Sequence, residues 1–279
     1  MRYAVDIAPL GELADPHAIV RLAVAAEAAG WDGVSTWDSL GVSMGTAAPD
    51  PFVALAAAAS ATTRLRLILS VAALPRRRPQ LVAQSAATLD RWSNGRLVLG
   101  VGSGGDPGDF ETFGEPFEAK ARVARMDEAL ELVDAFLRAE PVSHDGPSYV
   151  ARDVAGVGPR SVQEPRPPIW IGGMKPGALR RAARWDGWIA IATSDDGSSL
   201  VLPPEAFGGM VERLDAERAA AGRADAPFEV GVFAFSEPSE RDLVARYAKA
   251  GATWWLESLS PLRGTLDDLV ARVEAGPPG

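Results

Sequence analysis

Short apolar runs alternate with longer amphipathic ones eight times along this chain, and that rhythm restricts the fold more than any single motif does. Residues 3–7, 33–37, 66–71, 96–101, 169–171, 187–192, 228–235 and 253–256 read as strands. Residues 16–29, 51–61, 79–92, 119–137, 175–184, 204–221, 238–250 and 266–275 read as the helices that follow them. The punctuation agrees with these bounds. Gly30 stands at the C-cap position of the first helix. Asp50 can cap the second helix, with Pro51 at its first position. Strict alternation implies parallel strands joined by helical crossovers.

Only one stretch breaks the rhythm. Residues 140–166 are rich in Pro and Gly and contain His144-Asp145-Gly146, a turn between two short strands. The expected fold class is therefore α/β: a single (β/α)8 TIM barrel over residues 1–279, with an inserted hairpin or loop segment before the fifth strand. Barrels of this kind run at about 250 residues, which favours closure over an open doubly wound sheet, although periodicity alone does not show closure.

Composition narrows the chemistry. The 279 residues include no cysteine, which removes disulfides, thiolate metal sites and thiol nucleophiles. A reducing cytoplasm fits that usage. A net charge of −9 argues against nucleic acid and anionic membranes as partners. No apolar stretch approaches the roughly 20 residues of a membrane span, and the N-terminus lacks the apolar core of a signal peptide. The two histidines, His17 and His144, fall outside the strand ends, so a His-based triad or a His-rich metal site is not expected. No paired Asp/Glu motif replaces them, and no metal ligands are assigned.

In a (β/α)8 barrel the chemistry sits at the C-terminal ends of the strands. The polar candidates there are Asp38 and Ser39, Ser70, Gly102-Ser103-Gly104, Gly172-Gly173, Thr193-Ser194, Ser236-Glu237 and Glu257-Ser258. Gly172-Gly173, followed by Met174 and Lys175, reads as an anion cradle: backbone N–H groups before a helix, with an ammonium beside them. It also reads as a plain tight turn. The loop at 100–114 carries glycines that let backbone approach a flat ligand, without the spacing of a Rossmann fingerprint or a P-loop. Asp38 is a candidate acid, base or ring contact, or else a loop carboxylate. Asp109 and Glu111 are candidate proton donors or solvated loop acids. Glu257, beside Trp254-Trp255, is either a proton donor in a dry mouth or the partner of an arginine. Trp37, Phe110 and Trp255 would wall a pocket or pack a core. Few strong acid/base groups beside a glycine cradle suit a cofactor that carries the chemistry itself.

Several segments, in order, resemble one family. They are ATTRLRLILSVAALPRRRPQLVAQSAATLDRWSNGRLVLGVGSG (61–104), DFETFGEPFEAKARVARMDEALEL (109–132), PRPPIWIGG (165–173), RRAARWDGW (180–188) and GATWWLES (251–258) with RGTLDDLVARVEAGPP (263–278). Together they are similar to the luciferase-like monooxygenases, a family of flavin- and F420-dependent oxidoreductases. The resemblance implies FMN or coenzyme F420 lying at the strand ends, with its phosphate near Gly172 and Gly173. It implies a non-proline cis peptide at Ser70-Val71, forming a bulge that supports the ring. Asp38, Ser39 and Asp109 would then carry catalysis. Ser70, Val71, Gly102, Ser103, Gly172, Gly173, Met174 and Lys175 would hold the cofactor.

The sequence departs from the family twice. Ser39 stands where many members have His, and Asp109 where many have Glu. The partners implied are a small organic substrate, a separate flavin or F420 reductase, and a second copy of the chain packed through the early helices. The small apolar helix at 52–61 suits that packing, or burial within the monomer. Two other functions stay open on the residues alone: a binding barrel without turnover, and a phosphate-binding lyase or isomerase.

Overall fold

The computed structural model describes residues 1–194, 199–237 and 241–278. Its strands are β1 (Arg2–Ile7), β2 (Gly33–Thr36), β3 (Arg66–Ala73), β4 (Leu97–Gly102), β5 (Val142–Asp145), β6 (Val150–Val154), β7 (Ile169–Gly172), β8 (Gly187–Ile191), β9 (Glu229–Ala234) and β10 (Trp254–Leu259). Eight of them close into a parallel barrel in the order β1-β10-β9-β8-β7-β4-β3-β2, with β1 pairing both β10 and β2. The helices are α1 (Pro16–Ala28), α2 (Pro51–Ala61), α3 (Pro79–Trp92), α4 (Gly108–Glu111), α5 (Ala119–Leu137), α6 (Pro176–Ala182), α7 (Pro204–Ala220), α8 (Arg241–Lys249) and α9 (Leu266–Glu274). The expected closed α/β barrel is what forms.

Some bounds differ from the sequence reading, with consequences at the mouth. The last strand runs to Leu259 rather than stopping at 256, so Glu257 and Ser258 lie within it. The third strand runs on to Ala73. The helix after β7 starts at Pro176, leaving Lys175 as its cap. The expected start of the eighth helix at Pro238 lies outside the described residues. Helix α4, one turn long, falls inside what reads as a glycine loop.

Alternation along the strands builds two cores, because successive side chains point to opposite faces. Val5, Ile7, Val34, Leu67, Leu69, Leu99 and Trp255 pack outward against the helices. Ala4, Ile68, Val98, Trp170, Ile189, Trp254 and Leu256 fill the barrel. Both faces are therefore apolar, which is why the strands read as continuous hydrophobic runs. Trp170 and Trp254 meet edge-on inside the barrel, ring centroids 5.8 Å apart. The rings need bare backbone opposite them: a Cβ at Gly187 would lie 2.4 Å from Trp170 Cδ1.

Capping sets the helix ends. Asp15 accepts from His17 N–H, and Asp50 from the N–H groups of Phe52 and Val53. Each such cap stabilises by about 1 kcal/mol. Gly30, at φ 85°, ends α1, and Trp31 N–H donates back to the Ala26 carbonyl.

The irregular segment forms the expected hairpin, β5 antiparallel to β6. Glu128 of α5 anchors it, accepting from the N–H groups of Ser148 and Tyr149 and bonding His144 Nε2 at 2.8 Å. The chain then returns past α3, where Asp90 accepts from Val162 N–H and Gln163 N–H.

Candidate functional site at the barrel mouth

The C-terminal mouth is shaped by an irregularity in β3. Its register against β4 shifts between Leu69 and Ala72, and the Ser70-Val71 peptide is cis. The expected bulge is there. It delivers the Val71 side chain to the middle of the mouth, against three glycines. A Cβ at Gly102 would lie 2.6 Å from Val71 Cγ2, and one at Gly172 2.9 Å from Val71 Cγ1. Gly100 is tighter still, its Cβ position 2.0 Å from the Leu69 carbonyl oxygen. Only backbone fits on that side, so the wall is flat. Ile191, two residues beyond the interior Ile189, is 48% exposed. Phe233, paired in register with Ile191 on β9, is half-buried. The mouth is therefore open, with an apolar floor.

Beside the bulge lies a buried polar cluster that the sequence reading misses. Asp6 is fully buried on the inward face of β1. Its Oδ1 accepts from Ser70 Oγ at 2.6 Å and from Ser35 Oγ, and the two hydroxyls also touch each other. Its Oδ2 is buried without a partner. Burial pushes the carboxyl up to about 6, and the two hydroxyls only partly counter it. A signal is present in the sequence: an aspartate inside the apolar run YAVDI. It lies within the strand and not after its end.

The three residues expected to carry catalysis come together, but within an ion-pair network. Asp38 accepts from Arg76 (2.7 Å), twice from Arg77 (2.7 and 2.9 Å), and from Ala73 N–H at 3.0 Å. Burial would raise its carboxyl, but Arg77, Arg76 and the Ala73 N–H together hold it below the usual range. Asp109 accepts from Leu40 N–H at 2.9 Å and Ser39 Oγ at 3.1 Å, with Arg76 Nη1 at 3.4 Å. Ser39 Oγ in turn accepts from Gly41 N–H. This network ties the loop after β2 to the loop after β4. The arginines come from the run PRRRP directly after the third strand, which the sequence reading does not single out.

On the far side of the mouth, Gly173 has φ 129°, and its carbonyl accepts from Trp188 Nε1 at 2.8 Å. Its own N–H makes a long 3.4 Å bond to the Ile189 carbonyl, so it is not free as the sequence reading supposes. The N–H groups of Met174 and Lys175 have no partner among the described residues. The Met174 thioether accepts from Ile191 N–H. Ser103 is half-buried just past β4, and Lys175 is exposed.

Glu257 does not face the mouth. It points outward from β10, and accepts from Ser236 Oγ (2.8 Å), Trp255 Nε1 (2.7 Å) and Arg263 (2.9 Å). The arginine-partner reading is the one realised. Trp255 also faces outward, against Tyr247, so it does not wall the mouth. Phe110 is buried under Gly104 beside Phe117. Among the described residues no group of three or more His, Asp or Glu side chains gathers where it could hold a metal ion. No described helix is long and apolar enough to cross a membrane.

Comparison with known proteins agrees with this fold. The sequence profile of the luciferase-like monooxygenases matches residues 3–270. An uncharacterized protein of Mycobacterium bovis is 32% identical over 76% of this chain and 75% of its own length. An F420-dependent glucose-6-phosphate dehydrogenase of Beutenbergia cavernae is 37% identical over 69% of this chain and 58% of its own. Among solved structures, an F420-dependent secondary alcohol dehydrogenase superposes with a TM-score of 0.83 at 16% identity, covering 99% of this chain and 98% of the other. The F420-dependent tetrahydromethanopterin reductase of Methanopyrus kandleri gives 0.79 at 18% identity, covering 98% and 97%. At such identities the superpositions speak to the fold. With the profile spanning nearly all of the barrel, this chain belongs to the luciferase-like monooxygenase family of oxidoreductases.

Proposed function

We propose that this barrel is an oxidoreductase that works with F420 or FMN bound across its C-terminal mouth, acting on a small organic substrate. The observation that carries the reading is the Val71 floor: an apolar side chain set at a strand bulge and flanked by glycines that keep the adjacent wall flat. A tricyclic ring needs such a surface, and the residues present fit it. Met174 and Lys175 supply unpartnered backbone N–H groups and one ammonium for the phosphate.

When bound, the cofactor supplies the two-electron chemistry. The protein's share is to hold and orient. Val71 would back the ring, and Gly102, Ser103 and Gly172 would hold it from the side. Gly173 shapes the phosphate turn, fixed by the Trp188 indole. Asp38, Ser39 and Asp109, clamped by Arg76 and Arg77, hold the two loops that border the substrate. Their pairing gives these carboxylates a positioning role rather than proton transfer.

F420 is the first choice, supported by the 37% identical F420-dependent relative. FMN is the second, supported by a type II Baeyer-Villiger monooxygenase of Pseudomonas putida solved with FMN, which shares the fold with a TM-score of 0.67 at 18% identity. We further propose a separate reductase that recharges the cofactor, a homodimer, and a cytoplasmic location. Titrating the purified protein with oxidised F420 and with FMN, read by fluorescence, tests the reading. Binding of one of them with Kd at or below about 10 µM, roughly −7 kcal/mol, is expected. Affinity for both no better than that of serum albumin overturns it.

A further inference from the structure

The buried carboxylates toward the C-terminal end of the barrel, inside and outside its wall, differ in one respect. Asp38, Asp109 and Glu257 each face an arginine within 4 Å. Asp6 faces hydroxyls alone. Ser35 and Ser70 bond it from β2 and β3, and Ser258 stands opposite it in register on β10. The charged groups of the surrounding elements lie elsewhere. Arg2, Asp32, Arg66 and Glu229 sit at the opposite rim of the barrel, where Arg2 pairs with Glu229. Glu257 is on the outward face of β10. His17, Arg21 and Glu27 belong to α1, across the strand from Asp6. A buried carboxyl without a cation keeps its proton more readily than an exposed one. Ser70, half-buried at the bulge, connects it with the mouth.

We infer that Asp6, Ser35 and Ser70 form a proton store under the barrel mouth, with Ser70 as the residue that exchanges a proton with the bound molecule and Asp6 as the positioning residue that refills it. The inference rests on the oxidoreductase reading above. Hydride exchange between a reduced deazaflavin or flavin and a carbonyl compound leaves a proton to be placed. As hydride reaches the carbonyl carbon with its electron pair, the C=O π bond breaks. The oxygen takes the Ser70 hydroxyl proton, and Ser70 takes the proton of the Asp6 carboxyl. Asp6 remains as carboxylate and recovers a proton from solvent through Ser70 once the product leaves. The reverse direction, alcohol oxidation, runs the same transfers backwards.

The test uses protein labelled with 13C at the aspartate carboxyl carbons, with the Asp6 signal assigned by its loss in Asp6→Asn. In the cofactor-free protein the Asp6 midpoint is expected near 6. Ser70→Ala removes a hydrogen bond to the ionised form and should move the midpoint about one pH unit higher. Saturating oxidised F420 or FMN covers the mouth and should raise it again. If the bound cofactor raises the midpoint by one pH unit, wild-type affinity for that cofactor weakens about tenfold relative to that of Asp6→Asn as pH rises past both midpoints, the ratio cancelling the cofactor's own titration. An Asp6 midpoint below about 5, within the ordinary carboxylate range, overturns the inference. So does a midpoint that neither Ser70→Ala nor bound cofactor moves. If neither cofactor binds, the oxidoreductase reading falls, and the titrations of the free wild type and of Ser70→Ala still decide whether the store exists.

Discussion

Replacing Asp6 by Asn should make the protein more stable at pH 8 relative to wild type than it is at pH 4.5. Asp6 is fully buried, and its carboxyl is raised from 3.8 to about 6. Each pH unit between those values is worth about 1.36 kcal/mol, so the ionised group opposes folding by about 3 kcal/mol relative to the protonated one. The sign follows from the folded value lying above the unfolded one. The contribution is fully present below pH 3.8 and is lost as pH rises through 6. Asparagine keeps the shape and cannot ionise. Between pH 4.5 and pH 8, the difference in unfolding free energy between variant and wild type should therefore swing by about 2 kcal/mol toward the variant. Urea unfolding of both proteins across that range measures it. Comparing the pair cancels every other titrating group, including Asp38, whose lowered value pulls the opposite way. A difference that stays flat with pH, or swings against the variant, refutes the reasoning.

Other substitutions probe the frame around the mouth. Gly100→Ala places a Cβ 2.0 Å from the Leu69 carbonyl oxygen and should cost about 3 kcal/mol or more, seen as a large fall in Tm. Gly105→Ala, with open space around it, is the control that should leave Tm unchanged. Asp38→Asn strips Arg76 and Arg77 of their shared carboxylate and should destabilise by about 3–5 kcal/mol in urea unfolding. Because the Asp38 carboxyl sits below its ordinary range, its share of stability is present at neutral pH and fades as pH falls, so this penalty should shrink in acid. Gly173→Ala strains a backbone at φ 129° and brings a Cβ to 3.0 Å from Ala178, so Tm should fall by several degrees and cofactor affinity should drop about tenfold or more.

The architecture was legible because the barrel buries both faces of every strand. That produces uninterrupted apolar runs, and amphipathic helices between them fix the parallel order. The bounds that slipped did so for local reasons. Trp254 to Leu259 reads as ending at 256 because Glu257 and Ser258 are polar, yet Glu257 is buried by the arginine, indole and hydroxyl groups around it. Ser70 reads directly as a polar residue at the end of the third strand, whereas Val71 and the bulge come only from likeness to a family, since no propensity marks a bulge. Asp38, Ser39 and Asp109 were found as polar residues after strands, but their engagement by Arg76 and Arg77 depends on a 3-10 turn at Leu74–Arg76 that brings the two guanidiniums over the loops. Asp6 was hidden for the opposite reason. It lies inside a strand, and its chemistry comes from Ser35 and Ser70, 29 and 64 residues away in sequence.

The proposed function stands or falls on the Val71 floor and the Gly173 turn being two ends of one cofactor site. A crystal structure of the protein soaked with F420 or FMN tests it most directly. The predicted result is a ring in van der Waals contact with Val71 and a phosphate hydrogen-bonded to the backbone N–H groups of Met174 and Lys175. A cofactor bound elsewhere, such as the cleft lined by Leu13, Pro261 and Leu269, would contradict it.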